Sequence, residues 1–322
     1  MDVALVDLWR ADLLVNSIMT SDFIIAVSVA DIRQEPDAGS ELVTQALMNT
    51  RAVAGEVVGD WTYVTLSDYE GWIKTSELEA PIVRGFCEGG EGTCGVPLPY
   101  SLVVTVPEAP VYVNETGEDT YFNVYLSTAL PFIDLAQAHR LHVALPGDAE
   151  GWIARECVAI RPNDALYPLQ DIRVVTDYAR AFLDVPYLWG GTSFRGIDCS
   201  GLVQLCYRMG GYIIPRDADQ QHDFLTQVVE RSEMQEGDLI FFGREQITHV
   251  GMALNNHEFI HAEGQEFQRV IIHSFDPQQP HYHARLFQYS QTGRRIIKNF
   301  VPHPAPADMT NITRTIPKKS TH

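Results

Sequence analysis

Two stretches of the chain follow one pattern. Residues 46–80 and residues 125–159 each end in a strand-like run, an acidic turn and the triplet Gly-Trp-Ile, at Gly71-Trp72-Ile73 and Gly151-Trp152-Ile153. Apolar and polar residues alternate through 61–66 and 141–145, the period-two signature of a half-buried strand. Short strands separated by Gly and Asp turns predict small β-barrels. The two triplets are 80 residues apart, too far for a solenoid repeat, so they predict two separate small domains.

This pattern divides the 322 residues. Residues 1–83 are expected to hold an N-terminal helix or extension and the first small barrel. Residues 84–100, rich in glycine and bounded by proline, read as a linker or insertion. The second barrel is expected at 101–162, a third domain at 163–300, and a flexible tail at 301–322, which is Pro-, Thr- and Lys-containing with little apolar content. In the third domain, residues 171–183 have helical spacing, and 199–209 read as a buried helix stopped by Gly210-Gly211. From Asp238 the chain turns strand-like, in "DLIFF", "HVGMAL", "EFIHAE" and "RVIIHSF". Helix first and antiparallel strands after is an α+β order.

Charge is distributed unevenly. Residues 1–160 hold 7 Lys and Arg against 24 Asp and Glu, whereas residues 161–322 hold 16 against 18. An acidic front half repels phosphates and anionic membranes, so neither nucleic acid nor membrane is expected as a partner. It suits a solvated surface or the capture of a cationic group such as a free amine. No apolar run reaches the length of a membrane helix. The first twenty residues carry Asp2, Asp7 and Asp12 with Arg10 as the one base, unlike the cationic start of a signal peptide, so the cytoplasm is the expected compartment. Five cysteines, Cys87, Cys94, Cys157, Cys199 and Cys206, are too few and too scattered for a disulfide framework. Cys87 and Cys94 read as incidental thiols of the Gly-rich segment.

Three residues carry potential chemistry: Cys199, His249 and His261. A thiol attacks as thiolate, and a helix N-terminus lowers its pKa. "GIDCSG" sets Cys199 at such a start, with Asp198 at the N-cap position. A base must lie within hydrogen-bond reach. A two-residue loop at Asn255-Asn256 would put His249 and His261 on opposite faces of their hairpin. A three-residue loop, Asn255 to His257, pairs Gly251 with His261 and makes the two histidines diagonal neighbours on one face. His249 then suits a general base and His261 the group fixing its tautomer. Cys206 reads as a small core residue, and His257 as exposed in the hairpin loop. His273, His281 and His283 match no standard metal spacing and read as loop residues, so no metal is expected.

The run "PYLWGGTSFRGIDCSGLVQLCYR", then "GDLIFFG", "THVGMAL" and "FIHAEG", closely resembles the NlpC-type cysteine peptidases over about residues 165–290. The resemblance implies a papain-like domain with a Cys-His-His triad in this order, and hence an α+β, papain-like catalytic domain preceded by two small SH3-like β-barrels. The front repeats are similar to bacterial SH3 (SH3b) domains. By the same resemblance Tyr187 helps hold the carbonyl oxygen, with backbone N–H groups at the Cys199 helix start. Trp189, Asp198 and Ser200 correspond to residues lining the substrate groove, and Asp217 to an acid that grips the substrate's α-amine. The first SH3b domain supplies an acid and a tyrosine that close the groove; Glu41 and Tyr69 are the candidates, with Glu35 or Glu70 as alternatives.

Two SH3b domains before an NlpC-type domain resemble the YkfC-type γ-D-glutamyl-L-diamino acid endopeptidases. That implies hydrolysis of the γ-D-glutamyl–diamino acid bond of murein peptides with a free N-terminal L-Ala, releasing L-Ala-D-Glu in cell-wall peptide recycling, with no cofactor. The other reading is a non-catalytic or acyl-transferring protein that holds peptidoglycan through its SH3b domains. Diaminopimelate or lysine in the leaving position, and the oligomeric state, stay open.

Overall fold

In the computed structural model, residues 22–82, 99–134 and 139–296 are described. The N-terminal extension, Cys87 and Cys94, and the tail from 301 lie outside the described residues.

The first β domain contains β1 (Asp22–Ile25), β2 (Val29–Arg33), β3 (Leu42–Leu47), β4 (Arg51–Val58), β5 (Trp61–Thr65), β6 (Glu70–Lys74) and β7 (Leu78–Glu79), ordered β3-β2-β6-β5-β4-β1-β7. The second contains β8 (Tyr100–Val104), β9 (Glu108–Tyr112), β10 (Thr120–Tyr125), β11 (Ala129–Asp134), β12 (Arg140–Ala144), β13 (Glu150–Ala154) and β14 (Val158–Pro162), ordered β10-β9-β13-β12-β11-β8-β14. The two orders are identical when each domain is counted from its own first strand.

The repeated triplet explains part of this likeness. Ile73 and Ile153 are fully buried in their own cores. A side chain at Gly71 would meet Ile32 on β2 at 2.7 Å, and one at Gly151 would meet Val111 on β9 at 2.6 Å. Glycine therefore lets β6 and β13 cross closely over β2 and β9, the same crossing in each domain.

The third domain opens with α1 (Ile172–Ala181), whose N-cap Asp171 accepts from the Arg173 N–H. A short hairpin, β15 (Thr192–Ser193) and β16 (Gly196–Ile197), leads into α2 (Cys199–Met209). Helix α2 is stopped at Gly210 and buries nearly all its residues, Cys206 among them. It packs on a six-stranded sheet of β17 (Gln227–Val229), β18 (Leu239–Phe242), β19 (His249–Ala253), β20 (Glu258–Glu263), β21 (Arg269–Ser274) and β22 (Ser290–Arg295), ordered β17-β22-β18-β19-β20-β21. The short helices α3 (Ala218–Phe224) and α4 (Ala284–Tyr289), and the closing strand β22, escape the sequence reading. Each holds only six or seven residues, too few to show a period.

Both β domains dock on this third domain. Val103 and Leu126 of the second β domain join the core built around α2, and Met48 of the first joins the core of the second. No helix among the described residues is long and apolar enough to cross a membrane.

Candidate active site

The β19–β20 hairpin has the three-residue-loop register. Met252 pairs with Ile260 and Ala253 with Phe259, which sets Gly251 opposite His261. His249 and His261 then meet diagonally, with His249 Nε2 2.7 Å from His261 Nδ1. His257, expected to be exposed, is half-buried: its carbonyl accepts from Phe275 N–H and the Ser274 hydroxyl, which draws the loop down.

The diagonal continues one strand further. His261 Nε2 lies 2.9 Å from His273 Nδ1. His273 stands in β21 and is 4 % exposed, so it is no loop residue. Its strand was legible in "RVIIHSF"; the missed signal is that 249, 261 and 273 are equally spaced by 12, the step that carries one diagonal across successive strands. His281 and His283 do lie in the following turn: His281 Nε2 lies 3.0 Å from Glu258 Oε1, and His283 Nδ1 accepts from the Leu286 N–H at the start of α4. Among the described residues no three His, Cys, Asp or Glu side chains converge as metal ligands.

Cys199 opens α2, and backbone N–H groups of Ser200 and Val250 point to its sulfur, bringing it beside the strand start that bears His249. The helix start does not produce a low thiol pKa. Burial pushes the Cys199 thiol up to about 12, the Asp198 charge adds to the rise, and the two N–H groups and Arg216 only partly oppose it. Burial likewise pushes His249 down to about 4, against the pull of Glu263 and Asp198. His261 is pushed well below its ordinary value by burial and by its two histidine neighbours, and His273 to about 4 by burial and His283. The resting site therefore holds a neutral thiol beside neutral imidazoles.

The acid at the N-cap is held by a residue the sequence reading missed. Arg216, 1 % exposed, donates to both Asp198 oxygens at 3.0 and 2.7 Å and to the Ser200 hydroxyl at 2.9 Å. Asp198 also accepts from the Gly201 N–H at 2.7 Å and the Gly190 N–H at 2.9 Å. The bidentate geometry pairs this buried carboxylate with a cation and fixes its orientation. Asp198 and Ser200 thus sit below the groove surface, tied to a guanidinium. A cation directly after the apolar "YIIP" was the available signal. Tyr187 is half-buried, and burial with the nearby Cys199 and Asp198 raises its phenol pKa, so it stays a donor.

The first β domain reaches this same place. The Trp189 indole N–H donates to Glu41 Oε1 at 2.9 Å, and the Tyr69 hydroxyl donates to Asp217 Oδ2 at 3.3 Å. Thr44 Oγ1 accepts from Arg216 Nε at 3.0 Å, and Gln45 Oε1 accepts from the Thr192 N–H at 3.1 Å. Asp68 accepts from Gln204 and Arg208, each at 3.0 Å. Gly190, at φ +74°, lets the turn before α2 press on Leu42, whose carbonyl oxygen would lie 2.4 Å from any Cβ there. Of the alternative acids, Glu35 is exposed and Glu70 bonds Tyr63 of its own domain. The four groove candidates thus pair across the domain boundary, two by two.

Residues 184–290 match the NlpC/P60 family model, and residues 32–78 match the bacterial dipeptidyl-peptidase Sh3 domain. The chain carries an NlpC/P60 cysteine peptidase domain behind a bacterial SH3 domain. It is 29 % identical to a protein named gamma-D-glutamyl-L-lysine dipeptidyl-peptidase from Bacillus cereus, over 72 % of this chain and 71 % of that one. It is 28 % identical to dipeptidyl-peptidase 6 of Lysinibacillus sphaericus, over 82 % of this chain and 95 % of the relative. Its fold matches the crystal structure of an NlpC/P60 family protein from Bacillus cereus with a TM-score of 0.70 at 24 % identity, covering 85 % of this chain and 99 % of that one. The NlpC/P60 domain is thus mostly sheet with few helices, and an SH3-like β domain leans on its groove.

Proposed function

We propose that the enzyme removes L-Ala-D-Glu from murein peptides with a free N-terminal L-Ala, cutting the γ-D-glutamyl bond to the diamino acid. One observation carries this reading: the Tyr69–Asp217 and Glu41–Trp189 pairs bring a β domain's side chains against one end of the groove. An end lined by Asp217 and Glu41 suits an ammonium ion, because carboxylates give it charge-assisted hydrogen bonds. Both relatives are named as dipeptidyl-peptidases, and the name of the Bacillus cereus protein, gamma-D-glutamyl-L-lysine dipeptidyl-peptidase, favours the same substrate class. In intact wall the L-Ala amine is bound in an amide, so a free amine marks peptide already released, and the activity fits peptide recycling.

In this reading Cys199 is the nucleophile, His249 its base and His261 the group behind the base. As the sulfur attacks the γ-carbonyl, the thiol proton passes to His249. The oxyanion is met by the Tyr187 hydroxyl and by N–H groups at the start of α2. The C–N bond then breaks, the leaving amine takes the proton from His249, and a thioester remains. Water, losing its proton to His249, attacks the thioester; that proton returns to sulfur as L-Ala-D-Glu leaves. Arg216 holds Asp198 and Ser200, and through them the turn carrying Trp189 and Gly190. The repeated strand order supports reading the second β domain as a second SH3-like barrel. A helix-borne Cys before strand-borne His supports reading the peptidase domain as papain-like.

The test uses L-Ala-γ-D-Glu-L-Lys and its diaminopimelate counterpart. Wild type is expected to release L-Ala-D-Glu from at least one, and Cys199→Ala to release none while melting as wild type does. Turnover by Cys199→Ala would overturn the mechanism.

A further inference from the structure

Three histidines lie on one diagonal over three adjacent strands, and their ring nitrogens form a chain. His249 Nε2 meets His261 Nδ1 at 2.7 Å, and His261 Nε2 meets His273 Nδ1 at 2.9 Å. His261 is 0 % exposed and has both its nitrogens engaged within the chain. A neutral imidazole has one donor and one acceptor nitrogen, so His261 must donate at one end and accept at the other. Only two proton orders are then possible for the neutral chain. In one, every proton points from His249 toward His273. In the other, every proton points back toward His249.

The two orders differ in what His249 offers the thiol. Its Nε2 is turned to His261, so Nδ1 is the nitrogen left for Cys199. In the forward order Nε2 carries the hydrogen and Nδ1 is a bare acceptor, able to take the thiol proton. In the reverse order Nδ1 already carries the hydrogen, and the ring cannot act as the first base. The choice between them rests on the far end of the chain, where His273 Nδ1 either accepts or donates.

We propose that His273 is a positioning residue: its Nδ1 accepts from His261 Nε2–H, which holds His261 as an acceptor for His249 Nε2–H and leaves His249 Nδ1 open to the Cys199 proton. The proposal rests on the reading of Cys199 as nucleophile and His249 as base. It adds a fourth member behind the expected three. Burial favours the neutral chain at rest, against the pull of nearby carboxylates. Glu263, fixed by the N–H groups of Gln265, Glu266 and Phe267, is the near anion. Asp198 acts on His249, His281 acts on His273, and His283 acts on all three rings. The Phe259 ring packs beside both His261 and His273, and Phe267 beside His273, which limits how far either imidazole can turn.

The test has a spectroscopic arm and a kinetic arm. Nitrogen-15 NMR of histidine-labelled wild type near pH 7 is expected to show His261 protonated at Nε2 and bare at Nδ1. In His273→Leu the His261 signals are expected to become a mixture of both tautomers. The same variant is expected to lose about ten- to a hundredfold in kcat, the usual cost of removing a partner behind a working imidazole, with KM little changed. His273→Asn is expected to regain most of the loss, since its amide oxygen can accept where Nδ1 did. A wild-type His261 protonated at Nδ1 overturns the proposal, as does a folded His273→Leu with wild-type kcat and an unaltered His261 tautomer. Turnover by Cys199→Ala would remove the nucleophile assignment alone; the nitrogen spectra would still decide the proton order.

Discussion

The two β domains differ more in their outer contacts than in their cores. Both order seven strands in the same way, and both bury the isoleucine of a Gly-Trp-Ile triplet. The turn before that triplet reads Asp-Tyr-Glu in the first domain, residues 68–70, and Asp-Ala-Glu in the second, residues 148–150. That side chain is one of those that separate their uses. Tyr69 extends to Asp217, and Glu41, Thr44, Gln45 and Asp68 make polar contacts around it. At the same place in the second domain stands Ala149. This domain meets the peptidase domain through Val103 and Leu126 in the shared core, and through the Tyr167 hydroxyl on Ser127. A scaffold used twice thus gives one wall to the site and one support behind it. The core residues set the scaffold, and residues in and just before β3 and in the turn before β6 decide which of the two it becomes.

The comparison can be broken at several points, beginning with the strongest. Arg216→Met removes the cation from the buried Asp198 and the donor to Thr44, so it tests whether the first domain's docking runs through the active-site turn. It is expected to cost roughly 3–5 kcal/mol in denaturant unfolding, the usual penalty for stranding one member of a buried pair. A loss under about 1 kcal/mol, the range of an exposed pair, would mean the pair is not structural. Acid should act on the peptidase domain rather than the two β domains. His249 and His273 are held neutral, with pKa values near 4 against about 6.5 in an unfolded chain. The unfolded state then binds more protons between these limits. Stability from these groups is complete above about pH 6.5 and is lost as pH falls toward 4. Thermal melting followed by hydrogen exchange should show α2 and the β19–β21 sheet opening first over that window.

Tyr69→Ala makes the first turn read like the second. It is expected to lower kcat/KM on free-amine peptide about tenfold while leaving the melting temperature nearly unchanged, since one hydrogen bond to a charged group is lost from a groove wall. Ala149→Tyr is expected to change neither. Equal kinetic losses from both would erase the distinction between the two domains. The smallest effect is assigned to Tyr167→Phe, which removes the hydroxyl on Ser127. About 1 kcal/mol of stability should go, with unaltered kinetics.

What the sequence showed and what it hid follow from the range of each signal. Periodic features were legible because they repeat: the paired triplets, the α2 boundaries from Asp198 to Gly210, and the hairpin register that joins His249 to His261. Tyr187, Trp189, Asp217, Glu41 and Tyr69 were nominated only through the family resemblance, which extends beyond any local pattern. Arg216 and His273 were hidden because their partners lie 18 and 12 residues away, and burial of a polar residue leaves no local period. The upward push on the Cys199 thiol was hidden for a related reason. The helix start is a local feature, whereas the burial that outweighs it comes from the whole domain.

If the first β domain lets the enzyme read the substrate's amino terminus, blocking that amine should cost most of the activity. The most direct measurement is kcat/KM of the wild type on L-Ala-γ-D-Glu-L-Lys beside the same peptide acetylated on the L-Ala amine. The account predicts a loss of about a hundredfold or more on acetylation, as expected when buried polar groups are left without their partner, and a much smaller ratio in Asp217→Ala. Equal hydrolysis of both peptides by the wild type would contradict it, because the groove would then be open at the end where Tyr69 meets Asp217.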